Sequence, residues 1–162
     1  MECAKAEFLK KGFQAAQLKD IVAAAKVTTG AVYRHFKDKE ALFFALIEDV
    51  YHYTLDFLDN VESYDTVGIK EAIERDSIES SYMQAMKYVN YMYEHFEEYQ
   101  LLLKYSKGSR VENFIEEIAD QYTKQNAQFV KAAYEAGYAK CLPSDIEIHI
   151  LTHGYITALC EC

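Results

Sequence analysis

The chain has 162 residues, 51% of them apolar, with one proline and six glycines. That is enough apolar material for a core and too few turn formers for a β architecture of many short strands, so the composition points to an all-α protein. The net charge of −9 argues against nucleic acid as a single number, but residues 1–45 carry eight Lys/Arg against five acids (a net of +3), while the rest carries nine against twenty-one (a net of −12). A basic head on an acidic body permits phosphate contact at the head and repels DNA elsewhere. No run of about 18 apolar residues is present to span a membrane, and the N-terminal residues lack the apolar stretch of a secretory signal. Cys3, Cys141, Cys160 and Cys162 lie near the ends and form no disulfide framework, which suits reduced thiols. The expectation is a cytoplasmic protein with no membrane partner.

In chain order, residues 2–11 read as a helix with Phe8 and Leu9 for a core, ended by Lys10-Lys11-Gly12. Residues 17–25 place Leu18, Ile21, Val22 and Ala25 at helical spacing. Lys26-Val27 is a turn, and residues 28–36 form the next helix with Thr28 as its cap. Asp38 caps a fourth helix running to about residue 59, with Leu42, Leu46, Ile47, Val50, Tyr51, Thr54, Leu55 and Leu58 as its buried stripe. The polar stretch 60–68 is the best break. One or two helices over about 69–96 follow, then a short helix near 97–105, a turn at 106–109, a long helix over 110–136 ended by Gly137, and a last helix restarted at Pro143-Ser144-Asp145. The division expected is 1–45 and 46–162.

The second and third of these helices make a helix-turn-helix. Such a unit needs a core that fixes the angle between its helices and a second helix slim enough for a major groove about 12 Å wide. Ile21, Val22, Ala25, Val27, Val32 and Phe36 supply the core. Thr29, Gly30 and Ala31 make the first turn of the reading helix slim. There the Thr29 hydroxyl can bond a base, and Thr29 or Ala31 can touch a thymine methyl. Tyr33, His35 and Lys39 lie on the outer flank as phosphate anchors, and Gln17, Lys19, Thr28 and Arg34 complete the candidate DNA-binding set. Taken singly, Thr28 and Thr29 are ordinary caps and Tyr33 and His35 ordinary surface groups; the joint spacing carries the reading.

The pattern GF-x4-LKDIV-x2-A-x-VTTGAVYRHFKDKEAL over residues 12–42 resembles the DNA-binding head of TetR-family transcriptional regulators, with Gly30, Tyr33, His35, Phe36, Lys39 and Leu42 as its specific core. The resemblance implies a helical ligand-binding and dimerisation bundle behind the head. It also implies a homodimer on a near-palindromic operator, usually a repressor, released by a small-molecule effector. Three departures stand out. Ala16-Gln17 replaces the usual Thr-Ser, which weakens the cap of the second helix by roughly 1 kcal/mol. Lys26 stands where glycine is usual in the turn. The head also begins late and the last helix stops early for the family, so residues are expected to be missing at both ends.

The body is rich in Tyr, Phe and Met. A stripe such as Tyr82, Met83, Met86, Tyr88, Val89, Met92 and Tyr93 is ordinarily core packing. Under the resemblance it becomes an adaptable pocket, with Tyr82, Met86, Tyr105, Tyr122 and His153 as candidate effector contacts for an aromatic, hydrophobic or cationic molecule. His149 and His153 at i,i+4, and Cys160-x-Cys162, lack the further ligands of a metal site; no metal and no cofactor are expected. No nucleophile–base constellation can be assigned, so no enzyme is expected. The rival reading is a helical small-molecule-binding or interaction protein with a degenerate head.

Overall fold

The computed structural model describes residues 1–59 and 77–161, and these contain eight helices and no strand. They are α1 (Glu2–Ala15), α2 (Leu18–Ala25), α3 (Thr29–His35), α4 (Lys39–Asp59), α5 (Ser77–Glu94), α6 (Phe96–Lys104), α7 (Phe114–Glu135) and α8 (Asp145–Glu161). The all-α expectation holds. The break expected at 60–68 lies outside the described residues. The chain falls into two compact units, Met1–Thr54 with Met92–Phe114, and Leu55–Tyr91 with Ile115–Cys162. The first unit ends within α4, after Thr54, and includes α6.

The first unit is built on three phenylalanine rings. Phe8 and Phe43 are wholly buried and Phe13 nearly so. Phe43 meets Phe8 and Phe13 edge-on, each at 5.0 Å between centroids, an arrangement that aligns ring edges with ring faces. The buried stripe of α4 within this unit runs Phe43, Ile47, Val50 and Thr54, with Leu42 beside it. Phe43 was not in the expected stripe. The run ALFFALI is apolar at every position, so periodicity could not set its phase.

The helical run of α1 breaks at Gly12, which adopts φ 73 and ψ 164 before the helix resumes. Only glycine enters that region at low cost. The break turns the Phe13 N–H away from its own helix, and it donates to the Tyr105 carbonyl at 2.8 Å. Two lysines tie α1 to its neighbours. Lys5 binds Glu97 and Glu98 of α6 at 3.1 and 2.8 Å, and those carboxylates hold its ammonium well above the ordinary lysine range. Burial pushes the Glu98 carboxyl up, but the Lys5 hydrogen bond opposes it and the carboxyl ends below its usual value. Lys11 binds Glu7 at 2.6 Å and Asp20 of α2 at 2.9 Å.

At the end of α2, Lys26 sits in the left-handed region (φ 54, ψ 38), the one described non-glycine residue with positive φ. The Val27 N–H closes the turn on the Val22 carbonyl at 3.1 Å, the bond that places a left-handed residue just past a helix end. A side chain there carries a steric cost that glycine avoids. Lys26→Gly should therefore raise the urea midpoint by an amount equivalent to about 1 kcal/mol, with an unchanged m-value. A lower midpoint would show that the lysine side chain supports the turn.

In the second unit, Ile118, Ala132, Ala133, Ile148 and Ile156 are buried. α7 begins at Phe114, later than the expected residue 110. Ser109 accepts the N–H groups of Val111 and Glu112, and Gly108 adopts φ 87, so residues 107–113 are held in short turns. The end at Gly137 (φ 82) is as expected, with Tyr138 N–H returning to Ala133 O at 2.9 Å. α8 starts with a reciprocal cap: Ser144 Oγ takes the Glu147 N–H at 3.4 Å, while Glu147 takes the Ser144 N–H at 2.8 Å. Those Ser144 bonds, the backbone one foremost, hold the Glu147 carboxyl below its usual value.

Candidate nucleic-acid interface

The local chemistry of α3 places its side chains outward. Thr28 caps it, its hydroxyl accepting the Ala31 N–H at 3.2 Å, and the helix contains no buried residue. Thr28, Thr29, Gly30, Tyr33, Arg34 and His35 are exposed, Tyr33 by 54%; Ala31 is half-buried. Gly30 has ordinary helical geometry, and a Cβ added there would meet nothing within 4 Å. Folding therefore does not demand this glycine, which costs a helix interior about 0.5–1 kcal/mol relative to alanine. Val27, expected in the helix-turn-helix core, is 46% exposed; Ile21 and Val22 are buried, while Ala25, Val32 and Phe36 are half-buried. Val27 follows the left-handed residue, and that turn swings it outward.

The charge on this surface is narrower than the sequence count suggests. Lys5, Lys11 and Lys39 are engaged inside the unit. Among the described residues, Lys19, Lys26, Arg34 and Lys37 make no ion pair or hydrogen bond, and all four are exposed. Lys26 and Lys37 were not in the expected set, although both flank the reading helix in sequence. The nearby acids are occupied: Asp20 by Lys11, Asp38 by the Ala41 N–H at 2.8 Å, and Glu40 by the Arg110 N–H at 3.1 Å. Gln17 is exposed and begins α2 without a side-chain cap bond, as the loss of Thr-Ser predicts, and Ala16 is buried beside it.

Lys39 departs from its expected place. Its ammonium turns inward onto the Phe13 carbonyl at 2.7 Å and the Ala16 carbonyl at 3.1 Å, with Gln14 O at 3.4 Å, and lies 4.3 Å from the centre of the Phe13 ring. A phosphate would have to compete with those carbonyls for it.

Residues 1–46 match the family model described as bacterial regulatory proteins, tetR family. Over these residues the chain is similar to the DNA-binding head of tetR-family regulators. No curated protein matches it. The matched span of the tetR-family head covers α1 to α3 and the start of α4, and so contains every candidate DNA contact.

The candidate effector residues are divided between the two units. Tyr105 belongs to the first unit, where its carbonyl holds Phe13. In the second unit, Tyr82 and Met86 are exposed. Tyr122 is half-buried, and desolvation, helped by Tyr88 and Tyr155, pushes its hydroxyl up to about 12. His153 Nε2 lies 3.1 Å from Glu116, with Thr157 on its Nδ1 at 3.3 Å. A surface depression of about 200 Å³, lined in part by Lys131, Leu142 and Ile148, contains none of the five. Among the described residues no group of three or more His, Cys, Asp or Glu side chains is placed to hold a metal ion, and no helix is long and apolar enough to cross a membrane. The side chains of Cys160 and Cys162 lie outside the described residues.

Proposed function

We propose that this chain is a tetR-family regulator, a cytoplasmic repressor that binds a near-palindromic operator as a homodimer and is released by a small-molecule effector. The observation that carries the DNA-reading part is α3 itself, a capped helix with nothing buried, an open glycine in its first turn and unpaired cations on either side. Thr29 and Ala31 would read base edges, with Tyr33, Arg34, His35, Lys19, Gln17 and Thr28 positioning the backbone. Dimer formation is supported by α8, where Ile146, Ile150, Leu151 and Tyr155 leave an apolar surface in solvent. The tyrosines around Tyr122 support an effector that is aromatic or hydrophobic. Such a ligand acts only through unequal affinity for the DNA-competent and incompetent states.

The test is fluorescence anisotropy on the region upstream of its own gene. Specific binding is expected, and Arg34→Ala with Lys37→Ala should reduce the slope of log K against log salt by about 1 per lost phosphate contact. No specific binding to that region, together with tight binding of a small molecule, would favour a helical binding protein with a degenerate head. The uncapped Gln17 and the left-handed Lys26 are what favour that second reading.

A further inference from the structure

A lysine at the first position of a helix is electrostatically misplaced, because the helix N-terminus is already positive. Lys39 occupies that position in α4. The opposite end of a helix, with its orphan carbonyls, is where an ammonium is favoured. α1 has no basic residue in its own last turn, and Lys39 reaches it from 26 and 23 residues away, bonding Phe13 O at 2.7 Å and Ala16 O at 3.1 Å. Its position over the Phe13 ring adds a cation–π contact.

The second of those carbonyls matters most. Ala16 immediately precedes Gln17, where α2 begins without a side-chain cap. The backbone joining α1 to α2 is therefore held through its carbonyls by the Lys39 ammonium, from the α1 side of the junction, while the N–H groups that open α2 have no side-chain cap. We infer that Lys39 is a positioning residue: it caps the carbonyls at the end of α1, holds the junction that leads into α2, and so sets the pose of α2 and α3 against DNA without ligating phosphate. The stability consequence stands on the geometry alone, while the DNA consequence rests on the proposed function.

The experiment uses the full chain with Lys39→Met and Lys39→Arg, and Lys37→Ala for comparison. Lys39→Met keeps the stem and removes the charge, and should lower the melting temperature by about 5 °C. At about 10 °C, near the usual stability maximum, its affinity for the upstream duplex should fall about tenfold at every salt concentration with an unchanged salt slope, whereas Lys37→Ala should lower the slope by about 1. A role confined to stability would leave the affinity of the folded variant intact and would overturn the positioning role. Lys39→Arg separates the chemistries even if Lys39→Met does not fold. A guanidinium suits phosphate at least as well as an ammonium but fits poorly among carbonyls converging on one point. Loss of stability and affinity in Lys39→Arg supports the inference; wild-type stability with full affinity overturns it, as does a Lys39→Met variant of wild-type stability whose salt slope drops by about 1. If the wild type binds no DNA, the proposed function fails, and the melting temperatures of the two variants still decide whether Lys39 holds the α1–α2 junction.

Discussion

Replacing Phe43 with alanine should destabilise the head by about 3–5 kcal/mol, the range for deleting a fully buried aromatic ring. Phe43 is wholly buried and is the ring through which Phe8 and Phe13 meet α4. Removing it takes away both edge-to-face contacts and leaves a cavity bounded by two rings that are themselves fixed: Phe8 is wholly buried, and Phe13 is held through its N–H by Tyr105 and through its carbonyl by Lys39. Neighbours so anchored cannot collapse into the void, which places the cost at the upper end of the range. A domain's whole stability is only about 5–15 kcal/mol, and a loss of this size should raise the ratio of unfolded to folded heads by about 100-fold or more. Urea unfolding followed by near-ultraviolet circular dichroism measures this directly. A loss below about 1 kcal/mol would mean that the ring cluster is not the centre of the unit.

The second large effect has opposite signs in two measurements. Gly30→Ala should stabilise the protein by about 0.5–1 kcal/mol, because glycine is a poor helix former and the added methyl meets open space. Gly30→Leu should also fold. Yet a leucine on the first turn of α3 would stand between backbone and base edges, and affinity for the upstream duplex should fall by about 100-fold or more, equivalent to about 2.7 kcal/mol. A gain in stability with Gly30→Ala and a loss of binding with Gly30→Leu together distinguish a recognition glycine from a folding one. Unchanged affinity in Gly30→Leu would mean that the first turn of α3 does not approach the bases.

What could be read from sequence was local. The Thr28 and Asp38 caps, the stop at Gly137 and the restart after Pro143 all rest on groups within a few residues of each other, and all are found. The head resemblance was legible for the same reason, since its pattern spans one short stretch that residues 1–46 satisfy as a family match. What escaped depended on distant partners or on ambiguous phase. The direction of Lys39 is set by carbonyls more than twenty residues earlier, and a lysine beside a reading helix looks like a phosphate ligand until its acceptors are seen. Phe43 lies in an unbroken apolar run, and Val27 is turned outward by the backbone of Lys26. The division of charge also needed pairing information, because counting gave eight basic groups and pairing removed three. The effector contacts were least legible. Aromatic and methionine residues at helical spacing serve equally for packing or for a pocket, and periodicity does not distinguish the two.

The compact unit that carries the reading helix is not one stretch of chain. Its last piece, Met92–Phe114, supplies the carboxylates for Lys5, the carbonyl for Phe13 and the buried Tyr99, Leu101 and Leu102. A ribosome delivers residues in order at roughly 5–20 per second. The first 54 residues therefore leave it several seconds before the last of their packing partners, with apolar faces still open. During synthesis, the part of the chain that comes first in sequence is completed only after part of the body has also emerged.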